Sequence, residues 1–237
     1  MKTIGLLGGM SWESTQTYYR LINEGVKARL GGLHSARMVL YSVDFAEIET
    51  LQHQGDWAAT ARILANAAVS LQKAGADFLV IATNTMHKVA PEIEQALDMP
   101  LLHIADATAK TLARDGIDRV GLLGTRFTME QDFYRNRLEK AGINVLTPDL
   151  VQRDVVHRVI YEELCQGRIN PDSRAAYLDT VASLAEQGAQ AVILGCTEIG
   201  LLIRQADTSV PLYDTTEIHA AQAVEQALSD KTNKEQH

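Results

Sequence analysis

An α/β protein of two pseudo-symmetric lobes, each built on a parallel sheet, is what this sequence predicts, and three observations carry that reading. Short apolar runs alternate with longer helical patterns along the whole chain, the signature of parallel strands covered by crossover helices. Ala74-Gly75-Ala76-Asp77-Phe78-Leu79-Val80-Ile81-Ala82-Thr83-Asn84-Thr85 lines up with Gln187-Gly188-Ala189-Gln190-Ala191-Val192-Ile193-Leu194-Gly195-Cys196-Thr197-Glu198, at the offset that carries Thr83 onto Cys196. Two further pairs follow in the same order: Ile4-Gly5-Leu6-Leu7-Gly8 with Val120-Gly121-Leu122-Leu123-Gly124, and Met99-Pro100-Leu101 with Val210-Pro211-Leu212. One such match would carry little, because buried parallel strands are all Val/Ile/Leu-rich runs. Three in one order read as a duplication, with short loop insertions absorbing the small differences in offset.

In the first half, strands are expected at Ile4–Leu7, Met38–Ser42, Phe78–Ile81 and Leu101–Ile104, each a short apolar run. Between them, apolar residues recur with helical periodicity over Ser14–Leu30, Trp57–Lys73, Lys88–Leu97 and Ala107–Asp115. The second half repeats the scheme with strands at Val120–Leu123, Asn144–Leu146, Ala191–Leu194 and Leu212–Tyr213. Its helices are expected at Met129–Lys140, Asp154–Cys165, Ser173–Glu186 and Glu217–Leu228. Turn signals in Arg114-Asp115-Gly116-Ile117-Asp118-Arg119 place the boundary between the lobes. The expected division is therefore an N-terminal lobe over 1–115, onto which the C-terminal helix can pack back, a C-terminal lobe over 116–229, and a polar tail over 230–237. With 237 residues and 46% hydrophobic content the chain can bury the cores of two such lobes.

A net charge of −8 gives no general basic surface, so neither nucleic acid nor an anionic membrane is an expected partner. No apolar run approaches the roughly 18 residues needed to span a bilayer, and Met1-Lys2-Thr3-Ile4 runs straight into a strand, so a cytoplasmic protein is expected. Two cysteines, Cys165 and Cys196, make no disulfide framework, and without a nearby His/Cys cluster they make no zinc site.

Ligands of open α/β sheets bind beyond the carboxyl ends of the strands, and the polar motifs of this chain sit there. Gly8-Gly9-Met10-Ser11-Trp12-Glu13-Ser14 leaves the first strand and opens a helix, where backbone N–H groups can cradle an anion. It has neither the glycine spacing of a dinucleotide fingerprint nor the Lys-Ser/Thr pair of a P-loop, and an ordinary strand-to-helix turn is its plain alternative. Gly124-Thr125-Arg126-Phe127-Thr128 is the counterpart in the second half. Gly195-Cys196-Thr197-Glu198 puts a sulfur at a strand end before a helix start, a setting that favours thiolate, although an isolated cysteine is more often a small buried hydrophobe. Cys165 has no such setting and reads as a packed helix residue. Thr83-Asn84-Thr85-Met86-His87 supplies hydroxyls, an amide and a histidine after the matching strand, with helix capping as the alternative for Asn84, Thr85 and His87. Tyr213-Asp214-Thr215-Thr216-Glu217 reads as a structural capping signal.

Taken together, Gly8-Gly9-Met10-Ser11-Trp12-Glu13-Ser14-Thr15, Thr83-Asn84-Thr85-Met86-His87, Leu123-Gly124-Thr125 and Gly195-Cys196-Thr197-Glu198 resemble the aspartate/glutamate racemase family over nearly the whole chain. The resemblance implies two flavodoxin-like lobes with the active site in the cleft between them, a homodimer, no cofactor, and two cysteines on opposite faces of the substrate. Inversion at an α-carbon without a cofactor needs one group to remove the proton from one face and another to deliver a proton to the other. The developing carbanion also needs donors aimed at it. Asn84, Thr85, Thr197 and the Met10-Ser11 turn are the expected suppliers, with Gln52, Thr125, Thr128 and Glu198 as further substrate-binding candidates.

The chain departs from the family pattern at two places. Thr83 stands where the first cysteine is expected, and a hydroxyl is a poor base at neutral pH although it can donate a proton directly or through water. Cys196 is then the expected base, and by resemblance it works on the L-enantiomer, which makes L-aspartate or L-glutamate the expected substrate. The family also implies basic residues near Gln52 and in the helix holding Cys165, and neither Gln52 nor Cys165 supplies that charge. Arg20, Arg126 and Lys88 are the candidates to replace it. Glu198 is a candidate to orient or assist Cys196, while as a neighbouring carboxylate it works against the thiolate. Two other readings remain: a single-cysteine decarboxylase or isomerase of the same superfamily, and a binding protein that keeps the site after losing a catalytic cysteine.

Overall fold

The computed structural model describes residues 1–229, and the polar tail expected over 230–237 lies outside them. The described chain divides into two compact units, one of residues 1–82, 89–103 and 219–229, the other of residues 83–88 and 104–218.

The first unit is organised by β1 (Ile4–Gly8), which is buried along its whole length between two parallel neighbours, β2 (Met38–Ser42) and β3 (Phe78–Ile81). Ile4 pairs with Met38 on one side and Phe78 on the other. Helix α1 (Trp12–Leu30) buries Tyr18, Ile22 and Val26, one stripe at four-residue spacing, against Ile4, Leu6 and Val80 and against Ala220, Ala223 and Val224 of the C-terminal helix. Side chains of that size contribute roughly 1.5–3 kcal/mol each when buried. Helix α2 (Phe45–Gln54) is absent from the sequence expectation; Asp44 caps its first turn and Gly55 closes it. Helix α3 (Trp57–Lys73) follows and brings Leu71 over Gly5, where a Cβ would stand 2.9 Å from Ala76 Cβ and 3.4 Å from Leu71 Cβ. The helix expected over Lys88–Leu97 resolves into a 3-10 turn at Thr85–Val89 and a short α4 (Ala90–Gln95), because Pro91 suits a first helical turn and not an interior. The strand expected at Leu101–Ile104 shrinks to one parallel bridge between Leu79 and Leu101, since Ile104 already opens the next helix.

That helix, α5 (Ile104–Arg114), belongs to the second unit, although its residues precede the sequence-expected boundary. Three further helices, α6 (Arg126–Glu130), α7 (Asp132–Lys140) and α8 (Leu150–Glu162), alternate with β4 (Arg119–Gly124) and β5 (Asn144–Leu146). Then come α9 (Pro171–Glu186), β6 (Ala191–Gly195), α10 (Ile199–Leu202), β7 (Leu212–Asp214) and α11 (Thr215–Leu228). The sheet runs β5-β4-β6-β7, all parallel, the same order as β2-β1-β3 with Leu101 bridged beyond it. Gly121 repeats the role of Gly5: a Cβ there would stand 3.2 Å from Leu184 Cβ of α9. Successive strand residues face opposite ways. Val192 and Leu194 therefore join Val156, Ile160, Tyr177 and Val181 from α8 and α9, whereas Ala191 and Ile193 join Ile104, Leu112, Tyr134 and Leu138 from α5 and α7.

Helices α1, α5, α9 and α11 each begin two or three residues before the expected start, and two helices of the second unit change more. Met129–Lys140 is interrupted at Gln131, whose backbone is extended, and Asp154–Cys165 begins earlier because Asp149 accepts from Gln152 N. Cys165 thereby falls in a 3-10 turn, Leu164–Gln166, rather than inside a helix.

In the first unit a buried polar pair ties α1 to the C-terminal helix. His219 Nε2 lies 2.8 Å from Leu102 O and so carries the ring proton, while Tyr18 Oη donates to Nδ1 at 2.8 Å. Burial lowers the His219 pKa from 6.5 to about 4. A histidine held neutral in the folded state stabilises the fold fully above its unfolded pKa and loses that contribution as pH falls. The difference in unfolding free energy between the wild type and His219→Gln, measured by urea titration, should shrink as pH is lowered from 6.5 towards about 4, by up to about 1.4 kcal/mol per pH unit. A difference independent of pH would contradict this. Gly5→Ala should cost about 1–3 kcal/mol in the same assay by overpacking against Ala76; an unchanged midpoint would show that the contact relaxes freely.

Candidate active site

The second unit collects most of the polar residues singled out in the sequence. Thr83, Asn84 and Thr85 enter it with the 83–88 segment, Thr125 and Thr128 follow the end of β4, and Cys196, Thr197 and Glu198 follow the end of β6. Met10, Ser11 and Gln52 belong to the first unit.

Gly124 and Gly195 are register partners at the ends of β4 and β6, and a Cβ on Gly195 would stand 2.6 Å from Leu123 O. The residue before Cys196 must be this small for the strand ends to close together. The cysteine itself is 9% exposed and packs at the rim of the core made by α8 and α9. Its Sγ donates to Glu198 Oε2 at 3.0 Å, and Thr197 Oγ1 donates to the same oxygen at 2.8 Å. Glu198 is buried as well.

This environment corrects the expectation of a thiolate-favouring strand end. Burial pushes the Cys196 thiol well above its ordinary 9.0, the Glu198 carboxylate adds to the rise, and Cys165 adds further, against a weaker opposite pull from the Glu198 backbone N–H. The helix that was to favour the thiolate, α10, is a single turn of four residues with no side-chain cap, too short to offset a neighbouring carboxylate. The resting group is a thiol whose hydrogen points at a carboxylate.

Thr83 is half-buried, and its carbonyl accepts from His87 Nδ1 at 2.8 Å while His87 Nε2 accepts from Ile104 N at 3.3 Å. His87 thus uses both ring nitrogens to fix the segment in place. Thr85 Oγ1 and Thr125 Oγ1 are 3.0 Å apart, and Thr125 Oγ1 lies 3.3 Å from Thr128 Oγ1, so three buried hydroxyls form one chain. Thr125 also caps α6, accepting from Thr128 N. Asn84 is 3% exposed; its Nδ2 donates to Thr215 Oγ1 at 3.0 Å.

In the first unit, Ser11 caps α1 by accepting from Ser14 N, Gly9 N donates to Thr15 Oγ1, and Met10 is buried. Ser11 thereby fixes the first turn of α1 where the chain leaves β1. Gln52 is buried on α2. Of the cations considered for a side-chain carboxylate, Arg20 pairs with exposed Glu24 at 2.8 Å and Arg126 with Asp154 at 2.7 Å. Lys88 is half-buried, and burial lowers its pKa. Asp214 was read as part of a cap, and its Oδ1 does accept from Thr216 N at 2.8 Å; burial also raises its carboxyl to about 6, which no sequence signal disclosed. Among the described residues no group of three or more His, Cys, Asp or Glu is arranged to hold a metal ion.

Comparison with known proteins decides the family. The profile described as Asp/Glu/Hydantoin racemase matches residues 7–223. The chain belongs to that family. It is 61% identical to a candidate Asp/Glu racemase from Yersinia pestis whose crystal structure superposes with a TM-score of 0.91, covering 96% of this chain and 100% of that one. An aspartate racemase homologue from Pyrococcus horikoshii is 35% identical with a TM-score of 0.83, over 96% and 99% of the two chains. The broad-specificity amino-acid racemase RacX of Bacillus subtilis is 26% identical over 95% of this chain and 98% of its own length. These relatives are named for amino-acid racemisation, an isomerase activity, and the parallel two-sheet α/β fold is theirs too.

The hydrogen bond between Cys196 and Glu198 makes a definite prediction for this racemase family member. Glu198→Gln keeps a partner for the thiol but removes the proton acceptor, so the rate of α-proton exchange should fall by about 10²-fold or more, the usual contribution of a positioned base. Exchange at the wild-type rate, followed by proton NMR in deuterated water, would show that Glu198 plays no part.

Proposed function

We propose that this chain is a cofactor-independent racemase of acidic amino acids that prefers L-aspartate and also takes L-glutamate, with Cys196 serving one face of the α-carbon and Thr83 the other. The observation that carries the reading is the buried Sγ–H to Glu198 Oε2 hydrogen bond at 3.0 Å. A thiol with a raised pKa is the wrong resting state for a base, but it is the right one if its proton has an acceptor and the thiolate exists only during the reaction. A thiolate formed in such a setting is strongly basic, as removal of an α-proton requires.

The proton inventory then balances. The Cys196 proton passes to Glu198, and the sulfur lone pair takes the α-proton from the L-substrate. The carbanion is stabilised by its own carboxylate and by backbone N–H donors from the Asn84–Thr85 segment and Thr197. A proton from Thr83 Oγ1, directly or relayed through water, arrives on the opposite face, and solvent restores the hydroxyl while Glu198 releases its proton. Because a hydroxyl is a weak base, the reverse direction starts slowly from the D-enantiomer, whereas equal free energies of the enantiomers still require both directions to run. Similarity to named aspartate and amino-acid racemases supports the substrate class.

Incubation with L-aspartate in deuterated water tests the proposal. Deuterium should appear at Cα with wild-type protein and not with Cys196→Ala, and Thr83→Cys should raise the rate from D-aspartate by about tenfold or more, the effect expected when a better-matched base is supplied. Absence of exchange from both enantiomers would reject the racemase reading. Turnover of malonate or maleate would then favour the single-cysteine decarboxylase or isomerase, and tight ligand binding without exchange the binding protein.

A further inference from the structure

One buried contact in the second unit fixes which end of the Asn84 amide is left without a hydrogen-bond partner. Thr215 opens α11 and is fully buried; its Oγ1 lies 2.9 Å from Leu194 O and 3.0 Å from Asn84 Nδ2. A carbonyl oxygen can only accept, so the single hydroxyl hydrogen of Thr215 goes to Leu194. What Thr215 has left to offer is a lone pair, and Asn84 must therefore turn its NH2 group towards it. The two ends of an amide are nearly the same shape, but here hydrogen-bond chemistry allows one orientation alone. The other end, Asn84 Oδ1, is buried with no hydrogen-bond partner among the described residues. Such groups are rare in folded proteins and each calls for an explanation, of which a bound donor is one.

We propose that Thr215 is a positioning residue for substrate binding: by locking the Asn84 amide it leaves Oδ1 as the acceptor for the α-ammonium group of an amino acid. The inference rests on the racemase reading above and adds a basis for selectivity. At neutral pH an acidic amino acid carries hydrogen-bond donors only on its nitrogen, since both carboxylates are acceptors. A fixed Oδ1 can pair with that nitrogen and with neither carboxylate, so the lock favours aspartate over a dicarboxylate of the same length that lacks nitrogen. Leu194 stands two residues before Cys196 on β6, so the same contact ties Asn84 to the strand that carries the thiol.

Thr215→Val keeps the shape and removes both halves of the lock, whereas Thr215→Ser restores them; Thr215→Ala replaces the valine variant if that one fails to fold. For L-aspartate, the valine variant should raise KM about tenfold with kcat within about threefold of wild type, the pattern for lost uniform binding. The serine variant should match wild type, and inhibition by succinate should be unchanged in all three. An unchanged KM, or a serine variant as impaired as the valine one, would overturn the proposal. If wild-type protein exchanges no α-proton, the racemase reading fails first, and the lock is then judged by NMR hydrogen exchange of the Asn84 side-chain amide. Slow exchange in wild type and Thr215→Ser with fast exchange in Thr215→Val would uphold the lock, and equal rates in all three would overturn it.

Discussion

A thiol can take a proton from carbon only after giving up its own, and in this protein the sulfur proposed to do so lies buried 3.0 Å from a carboxylate oxygen. That single hydrogen bond organises the chemistry of the second unit. Burial and the Glu198 charge hold the Cys196 thiol well above its ordinary 9.0. In the proposed reaction the same carboxylate gives the proton its destination. Thr197, donating to the same Glu198 oxygen, holds the carboxylate in line.

The fold delivers that pair through close packing at strand ends. β4 and β6 end side by side in Gly124 and Gly195; a Cβ on Gly195 would stand 2.6 Å from Leu123 O, and one on Gly124 would stand 3.0 Å from Gly195 O. The chain can then turn at once into polar residues, so that Thr125 and Cys196 emerge from adjacent strands. The third contributor, the 83–88 segment, is held by His87 through its own carbonyl at Thr83, by the Thr85–Thr125 hydroxyl contact, and by Asn84 on Thr215. Three separate hydrogen bonds on three consecutive residues leave that segment little freedom, as the role proposed for Thr83 requires.

Much of this was legible in the residues. The strands were readable because buried parallel strands are short, continuous apolar runs, and the repeat of Gly5 in Gly121 and of Thr83 in Cys196 pointed to the recurring strand order. Helix α2 escaped because its apolar side chains are few, although Asp44 and Gly55 are ordinary capping signals at its two ends. The strand expected at Leu101–Ile104 failed because an apolar run cannot by itself distinguish a strand from the start of a helix, and Ile104 was needed in the core of the second unit. The polar residues that the second unit gathers at its strand ends were legible in the sequence, whereas the protonation state of Cys196 was not. Sequence places Glu198 two positions on, but only the coordinates put its carboxylate on the sulfur rather than in solvent. Thr215 was hidden for a similar reason: Asp214-Thr215-Thr216-Glu217 reads as a cap, Asp214 does cap, and the second use of Thr215 depends on residues 21 and 131 positions away.

The most direct measurement is a pH titration of Cys196 itself, followed by NMR through a 13C label at cysteine Cβ in a Cys165→Ser background. The thiol should remain protonated past its ordinary 9.0, and Glu198→Gln should bring its titration down by removing the adjacent negative charge. A Cys196 already ionised at neutral pH, or one whose titration is indifferent to Glu198, would contradict the account of a thiol and a carboxylate sharing one proton.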